Sequence, residues 1–556
     1  MILQNIKKQV FESLHKTLGL EPVVEYAKKG DAQLACPLFK VAKEKGVSPQ
    51  DIFDEVRDNI SSIDYIKEVT FERGFLNIYL DIVTFSQDIF KAVLKEKDHV
   101  GQKEKTQDVI AIDYSSPNIA KRFSVGHIRS TVIGASIKRI FELCGYQVEG
   151  INHLGDWGTQ FGKMIYAYEH YGNKEMLEKD PIQALQSLYV QFHEEEEKDP
   201  SLTDKARDIF KAMEDGDASY LALWRWFKEL SMEEFNTYYD LLGVTFDHVI
   251  GESFYEEFMN RAVEEMETKG ILALDDDAMI IRLDDDMPPA LIKKKDGSTL
   301  YMTRDVAAAI YRHETFHANT LLYVVGNEQS LHFKQLQKVL EKLERPIKIE
   351  HVNFGLVLQD GKKMSTRKGG VTTLAQVFEE AIKLSKEAIE EKNPTLEYKD
   401  EVAKSIAVSA IIYNDLKHEK HLNVDFNLQN MLKFEGQTGP YIQYTSVRMA
   451  ALLRQLPTFN EMLDNSYLNN DSIHQIALLL AQFDDAIERA KEEFQPSVIA
   501  RYAFTLSQSF NSWYGSQKFV TENMNETLTN LSIVQATRYV LNQSMKLLGL
   551  TVLDYM

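Results

Sequence analysis

The segment from Val109 to Asn152 constrains the fold of this chain more than any other. A short apolar run, Val109 to Ile112, precedes a polar loop, a helical pattern that ends at Cys144-Gly145, and a second apolar run at Val148 to Asn152. A strand, a helix and a strand in this order form a βαβ unit, whose two strands lie parallel in one sheet. The order therefore predicts a Rossmann-like parallel sheet, in which ligands bind beyond the carboxyl ends of the strands.

The other patterns place this sheet in one of several domains. A chain of 556 residues exceeds the size of one ordinary domain. We predict a multidomain α/β protein with an N-terminal α+β accessory domain, a Rossmann-like parallel-sheet domain interrupted by a helical insertion, a helical connector and a C-terminal all-α helical bundle. The predicted boundaries are residues 1–105 for the accessory domain, 106–375 for the sheet domain with its insertion at about 165–250, 376–430 for the connector and 431–556 for the bundle.

Composition excludes several classes of protein. Apolar residues make up 44% and charged residues 26% of the chain, as in soluble globular proteins, and apolar runs such as Ile476 to Ala481 are too short to span a membrane. The formal charge of −21 disfavours a protein that coats nucleic acid without specificity. Cys36 and Cys144 form no CxxC pattern, so we predict neither a disulfide framework nor a zinc site and expect a cytoplasmic protein.

The polar loop between the first strand and its helix is the first candidate site. It runs from Asp113 to His127, and the helix that follows offers unpaired N–H groups and the positive end of its dipole to a phosphate. Gly126 allows a close approach of the backbone, and His127 can donate a hydrogen bond to a phosphate oxygen. A tight turn with a capping polar residue is the alternative interpretation of the same residues.

A second candidate site is the basic stretch from Asp360 to Gly370. It follows the strand-like run Phe354 to Leu358 and combines cations with small residues. Lys363 and Arg367, with Lys368 as a further candidate, could neutralise the charge that builds on departing pyrophosphate. An exposed basic loop without function is the alternative.

Together, these two stretches resemble the signature motifs of class I aminoacyl-tRNA synthetases, commonly written HIGH and KMSKS. The corresponding residues are Ser124 to His127 and Lys363 to Arg367. Further sequence motifs resemble the arginine-specific branch, of the bacterial type, over essentially the whole chain. These motifs are SSPNIAK (115–121), NHLGDWGTQFG (152–162), YMTRDVAAAIYR (301–312), VVGNEQSLHF (324–333) and EGQTGPYIQY (435–444).

The resemblance implies an enzyme that ligates L-arginine to tRNA-Arg at the expense of ATP, through an arginyl-adenylate. It also implies that arginine is activated only when tRNA is bound. Magnesium is expected with ATP, which is a substrate, and no metal site of the protein itself is expected. The implied catalytic residues are Ser124, His127, Lys363 and Arg367, and the implied ATP-binding residues are Lys121, Gly126, His127, Gly326, Lys363, Met364 and Ser365.

The resemblance also implies an arginine pocket. Asp113, Tyr301 and Asp305 would hold the guanidinium, which is planar, permanently charged and rich in donors. The α-amino and carboxylate ends of the amino acid would be positioned by Ser116, Asn118 and Gln329. Without the resemblance, Asp305 would be interpreted as a first-turn carboxylate that the helix dipole favours, and Tyr301 as a core aromatic.

Contacts with tRNA are implied at both ends of the chain. Phe75 and Asn77 match the N-terminal motif that touches the bend of the tRNA, although a core strand is the alternative for Phe75. The C-terminal bundle resembles an anticodon-binding domain. Its candidate contacts are Tyr441, Gln443, Tyr444 and Arg448, for which helix packing is the alternative. A monomer is the usual state of the family.

Three positions depart from the family pattern. Ser124 replaces the first histidine of HIGH, Thr366-Arg367 replaces the last Lys-Ser of KMSKS, and Arg122 stands where the family usually has proline. We expect these departures to affect rate and affinity more than function. Two other hypotheses remain: a catalytically weak paralogue that binds tRNA in a regulatory role, and an enzyme of the same superfold that adenylates another small molecule without tRNA.

Overall fold

The N-terminal part of the protein is a small α+β domain. The computed structural model describes residues 2–19, 21–27, 31–283, 287–294, 301–359, 361–363 and 373–556. A four-stranded antiparallel sheet in the order β1-β2-β4-β3 packs against helices. The elements are α1 (Ile2–Leu18), β1 (Glu25–Tyr26), β2 (Leu34–Pro37), α2 (Phe39–Lys45), α3 (Pro49–Ser61), β3 (Ile66–Glu72), β4 (Phe75–Leu80) and α4 (Ile82–Glu96).

The central domain contains a five-stranded sheet in the order β12-β11-β5-β6-β7, and all of its strands are parallel. The predicted βαβ unit is confirmed as β5 (Val109–Asp113), α5 (Val125–Leu143) and β6 (Gln147–Asn152). The sheet is completed by β7 (His248–Val249), β11 (Thr320–Tyr323) and β12 (Lys348–His351).

This sheet is covered on both faces, as parallel sheets require. Ile110, Ile112 and Leu322 are buried in a core that includes apolar residues of α5. Ala111 and Leu321 point to the opposite face and are buried in a second core. Side chains alternate between the faces of a strand, so a wholly apolar strand indicates burial on both sides.

A group of helices interrupts the sheet between β6 and β7, as predicted. It consists of α6 (Thr159–Tyr171), α7 (Lys174–Lys179), α8 (Pro181–Lys198), α9 (Leu202–Glu214) and α10 (Ala218–Leu242). The helices begin at Thr159, and β7 lies inside the predicted range of the insertion but belongs to the main sheet.

The second half of the central domain adds a small antiparallel sheet that the sequence patterns did not indicate. Its order is β10-β9-β8. The elements up to the basic stretch are α11 (Glu256–Thr268), β8 (Leu272–Asp275), β9 (Ala278–Ile281), β10 (Ala290–Lys293), α12 (Tyr301–Phe316), α13 (Ser330–Lys342), β13 (Val357–Gln359) and β14 (Lys362–Lys363).

The C-terminal part is helical with one exception, since β15 (Val424–Asp425) pairs in parallel with β13. The region predicted as a helical connector therefore extends the strand pairing of the central domain. None of the helices in the part of the chain described here is long and apolar enough to cross a membrane. The helices are α14 (Leu374–Lys392), α15 (Lys399–Leu416), α16 (Leu428–Met431), α17 (Gly439–Leu453), α18 (Asp471–Ala481), α19 (Phe483–Glu492), α20 (Pro496–Ser516) and α21 (Met524–Leu548).

Candidate active site

The loop after β5 forms the floor of the candidate site, and its backbone is strained. Ser115, Ser116 and Ala120 have φ angles of 70°, 48° and 61°, in a region that residues other than glycine rarely adopt. The Ser130 hydroxyl accepts from the Ser115 N–H at 2.9 Å, and Asn152 Oδ1 accepts from the Ser116 N–H at 3.2 Å. These side chains of α5 and β6 hold the loop in its conformation, as is common where strained backbone serves a site.

His127 lies in the first turn of α5 and presents a defined tautomer. The backbone N–H of Ser124 donates to its Nδ1 at 2.9 Å, so Nδ1 is an acceptor and the ring proton is on Nε2. Burial, together with the nearby charge of Lys121, lowers the pKa of His127 to about 4. The ring is therefore a neutral donor at physiological pH.

Ser124 is the residue that caps this helix. It has the extended backbone of an N-cap, with φ −107° and ψ 165°, and its hydroxyl lies 3.1 Å from His127 Nδ1. Serine is among the preferred N-cap residues, so the departure from the family histidine retains a stable helix start. Gly126 and Lys121 are exposed beside it.

Asp113 ends β5 and is engaged by the chain itself. Its Oδ2 accepts from Arg312 Nη2 at 2.8 Å, and its Oδ1 accepts from the Ser116 hydroxyl at 2.6 Å. Arg312 is 1% exposed and also contacts the Tyr255 hydroxyl and His153 Nδ1. A carboxylate has about four lone-pair sites, so Asp113 keeps acceptor capacity beyond these two bonds.

The predicted pair lies in the first two turns of α12, which contacts α13 through Asp305. Asp305 Oδ2 is 2.5 Å from His332 Nε2 of α13. Tyr301 is 69% exposed, so it is not a core aromatic. Its position at the start of α12 leaves the phenol facing solvent, one helical turn from Asp305.

Three other predicted residues surround the ends of β5 and β11. Asn118 is exposed and bridges Gly155, and Gln329 is exposed at the end of a short 3-10 turn, Asn327–Gln329. Gly326 is buried and bridges Phe354, just before β13. The structure thus brings the predicted substrate residues together at the carboxyl edge of the sheet.

The basic stretch begins as a β-hairpin. β13 pairs with β14, which places the backbone of Lys363 opposite Leu358. The other predicted residues of this motif, Met364, Ser365 and Arg367, lie outside the described residues.

Sequence reasoning missed a group of charged residues around Arg304 of α12. Arg304 lies between Glu252 at 3.3 Å and Glu256 at 3.1 Å. Burial raises the pKa of Glu252 to about 7, although the charge of Arg304 opposes this rise. Arg304 and Arg312 both stand in the motif YMTRDVAAAIYR, and their eight-residue spacing on a helix was the available signal.

The N-terminal candidates share one face of β4. Phe75 and Asn77 are half-buried and alternate with Leu76 and Ile78, which are fully buried. The Phe75 ring meets the ring of Phe39, which is 50% exposed, edge-on at 5.6 Å. Phe75 therefore lies outside the core of the domain.

The C-terminal candidates on α17 divide into two groups. Arg448 stacks between Tyr444 and Tyr514, whose ring centres lie 4.8 and 4.6 Å from its guanidinium carbon, and both tyrosines are partly exposed. Tyr441 is half-buried, and its hydroxyl accepts from Asn511 at 3.1 Å. Gln443 is different because it is fully buried and donates to Ser409 and to the Thr551 carbonyl. The side chain of Gln443 therefore packs inside the bundle, as the helix-packing alternative describes.

Within the ranges that the structure covers, no group of three or more His, Cys, Asp or Glu side chains is arranged to hold a metal ion. Cys36 and Cys144 are both free and buried.

Three family models together match most of the chain. Residues 4–80 match the arginyl tRNA synthetase N terminal domain, residues 89–428 match the catalytic domain of tRNA synthetases class I (R), and residues 442–556 match the DALR anticodon binding domain.

Full-length relatives and solved structures agree with these matches. An arginine–tRNA ligase of Exiguobacterium sibiricum is 44% identical over 557 residues, which cover 98% of each chain, and arginine–tRNA ligase 1 of Bacillus cereus is 46% identical over 94% of this chain and 92% of that protein. The fold matches the Thermus thermophilus arginyl-tRNA synthetase with a TM-score of 0.87 at 24% identity, covering 100% of both chains. The Plasmodium falciparum arginyl-tRNA synthetase matches with a TM-score of 0.85 at 25% identity, covering 100% of this chain and 99% of that one.

The family matches and near-full-length relatives, together with a class I site at the edge of a parallel sheet, lead to one assignment. The chain belongs to the arginyl-tRNA synthetase family.

Proposed function

We propose that the protein activates L-arginine with ATP and transfers it to tRNA-Arg. One observation supports the proposal most: the helix start that carries His127 follows the carboxyl end of β5, where Asp113 lies, and the Gly326–Phe354 bridge beyond β11 and β12 leads to the hairpin whose backbone includes Lys363. This end of the strands is where ligands bind in open α/β sheets.

In the first step, a carboxylate oxygen of arginine attacks the α-phosphorus of ATP. The bond from this phosphorus to the bridging oxygen breaks, and pyrophosphate leaves with the electron pair. His127 donates from Nε2 to a phosphate oxygen, and Lys363 and Arg367 offset charge on the departing pyrophosphate. We place Lys121, Gly126, Gly326, Met364 and Ser365 around the nucleotide, with Ser124 as the cap that orients His127.

Asp305 is the main selector of the guanidinium in this proposal. The charge of Asp113 is balanced by Arg312, so its contribution is a hydrogen-bond acceptor at the pocket floor. Tyr301 covers the pocket from the solvent side, while Ser116, Asn118 and Gln329 position the amino and carboxylate ends. Magnesium would accompany the phosphates of ATP, whose oxygens supply several of its ligands.

In the second step, a hydroxyl of the terminal adenosine of tRNA attacks the carbonyl carbon of the adenylate. The new ester bond forms, the bond to AMP breaks, AMP leaves with the electron pair, and the proton of the hydroxyl passes to a phosphate oxygen of the departing AMP. Phe75 and Asn77 contact the tRNA bend, and Tyr441, Tyr444 and Arg448 contact the anticodon. We place the protein in the cytoplasm, consistent with its two free cysteines, and expect it to be a monomer, the usual state of the family.

The experiment is ATP–pyrophosphate exchange with purified protein, arginine and magnesium, with and without tRNA-Arg. Lysine and citrulline replace arginine as controls, because they lack the guanidinium but keep a similar length. Exchange with arginine and tRNA together supports the proposal. Binding of tRNA without exchange in any mixture would favour the weak paralogue, and exchange with another amino acid would identify a different substrate.

A further inference from the structure

Arg129 is a buried cation close to the site that the activation chemistry leaves unassigned. It stands on α5, two residues after His127, and is 1% exposed. Burying an arginine is costly unless its charge is paired and its donors are satisfied. Its partners therefore indicate what its position contributes.

The partners of Arg129 come from two other parts of the chain. Nη1 donates to the carbonyls of Gly355 at 2.9 Å and Leu422 at 2.8 Å, and Nη2 donates to the carbonyl of Lys420 at 3.2 Å. Nε lies 3.1 Å from Asp415 Oδ2, at the end of α15. One guanidinium thus joins three parts of the chain: α5, the residues just before β13, and the segment between α15 and β15.

The two segments that Arg129 joins, residues 355–356 and residues 420–423, also contact each other closely, and we call this contact the junction. The Gly355 N–H donates to the Lys420 carbonyl at 2.9 Å, and a Cβ at position 355 would lie 2.5 Å from the Leu422 oxygen. The Leu356 N–H donates to Asn423 Oδ1 at 2.8 Å. Directly beyond this junction, β13 pairs with β15 on one side and with β14 on the other.

We propose that Arg129 is a positioning residue for arginine activation: it holds the β13–β14 hairpin, which carries Lys363, at a set distance from the helix start that carries His127. The inference rests on the proposed function. His127 and Lys363 act on the same triphosphate, so their separation decides whether both reach it. Through Asp415 and the 420–423 segment, the same guanidinium ties this distance to the helical C-terminal part.

Lysine at position 129 tests the proposal because it keeps the charge but not the forked donors. An ammonium is a single point donor and cannot reach Asp415 and three carbonyls at once. The site for arginine lies on other elements, so KM for arginine should stay within about twofold. The rate of pyrophosphate exchange should fall about tenfold or more, because small misplacements of reacting groups are costly.

Comparing the effect of Arg129→Lys on the two reaction steps distinguishes a loss of positioning from a loss of stability. Transfer of arginine from added arginyl-adenylate to tRNA does not use the pyrophosphate-binding hairpin, so it should stay within about twofold of the parent. A partly unfolded population would slow both steps equally, and that result would overturn the proposal. Rates are taken well below the unfolding temperature of each variant.

Two further variants complete the experiment. Asn423→Ala removes only the exposed acceptor of the Leu356 N–H, and a smaller, selective loss of exchange of about two- to fivefold is expected. Arg139→Lys is the matched control on the same helix, because Arg139 bonds the Gly243 carbonyl and lies away from the junction. It should exchange like the parent.

The outcomes distinguish the inference from the function on which it rests. A parent that fails to exchange with arginine and tRNA contradicts the proposed function. If the parent is active and the folded Arg129→Lys variant exchanges pyrophosphate at the parental rate, the proposed role of Arg129 is overturned. If Arg129→Lys does not fold, the Asn423→Ala variant decides. A loss of pyrophosphate exchange without a loss of transfer from arginyl-adenylate supports the positioning role of the junction, and a parental exchange rate overturns it.

Discussion

At the scale of single residues, the two carboxylates of the proposed arginine pocket have different surroundings. Asp113 is buried and paired with a buried Arg312, whereas Asp305 is partly exposed and paired with His332. Asp305→Asn should raise KM for arginine about 100-fold, equivalent to about 3 kcal/mol, and leave KM for ATP unchanged. Steady-state exchange kinetics with each substrate varied in turn measure both constants.

Asp113→Asn should act mainly on stability. It leaves the Arg312 charge uncompensated, which costs about 3–5 kcal/mol in buried pairs. Urea unfolding of both variants checks the contrast. A stable Asp113→Asn protein with a KM defect equal to that of Asp305→Asn would contradict the division of roles.

His127 also has a pH signature. Its folded pKa of about 4 lies below its ordinary value of 6.5. As pH falls from 6.5 toward 4, the unfolded chain binds a proton that the folded chain refuses, so stability decreases. His127→Asn should reduce this loss by on the order of 1–3 kcal/mol.

The measurement for His127 is urea unfolding at pH 7 and pH 5. Replacement of the exposed His99 by asparagine is the control. This variant should lose as much unfolding free energy between pH 7 and pH 5 as the parent does. A parental pH dependence in His127→Asn would show that the histidine is not held neutral by the fold. Exchange activity of His127→Asn at pH 7 should fall about 100- to 1,000-fold, because a preorganised donor is lost.

At the scale of elements, the close packing of α5 on the loop after β5 depends on Gly134. A Cβ at this position would lie 2.2 Å from Tyr114 Cβ. Gly134→Ala should therefore lower the free energy of unfolding by about 1–3 kcal/mol, although alanine favours helices.

Gly515→Ala is the matched control, since this helical glycine of α20 has open space around it. It should raise the free energy of unfolding by up to about 1 kcal/mol. Urea unfolding measures the free energy of unfolding of both variants. The prediction requires a lower value for Gly134→Ala than for Gly515→Ala. Equal effects would mean that α5 can shift away from Tyr114.

At the scale of the whole molecule, Asp485 of α19 connects the N-terminal domain to the helical C-terminal part. It accepts from Gln4 at 2.8 Å, from Lys7 at 3.0 Å and from the Tyr26 hydroxyl. Burial would raise the pKa of Asp485, but the bonds from these three side chains outweigh burial and lower it.

Asp485→Ala should lower the free energy of unfolding by about 1.5–3 kcal/mol, because hydrogen bonds to a charged group are lost and their donors remain half-buried. Asp58→Ala, which removes an exposed pair with Arg57, should change it by at most about 0.5 kcal/mol. Urea unfolding followed by two probes tests whether the N-terminal domain then unfolds separately. A single unchanged transition would show that apolar packing alone joins the domains.

The sequence by itself determined those parts of the protein whose signal is local. The apolar runs around 109–152 predicted β5, α5 and β6, because strand and helix periods are properties of neighbouring residues. The ordered motifs likewise indicated the family, and the comparisons confirmed it. The domain boundaries and the individual substrate contacts stay predictions.

Only the tertiary structure decided which charges meet. Arg312 neutralises Asp113 across 199 residues, Arg129 reaches Asp415 across 286, and β15 joins β13 from a region predicted as helical. Gln443, for which helix packing was the alternative to a tRNA contact, packs inside the bundle. Such partners depend on how distant elements fold together, and the energy of a buried charge depends on its partner and not on its neighbours in sequence.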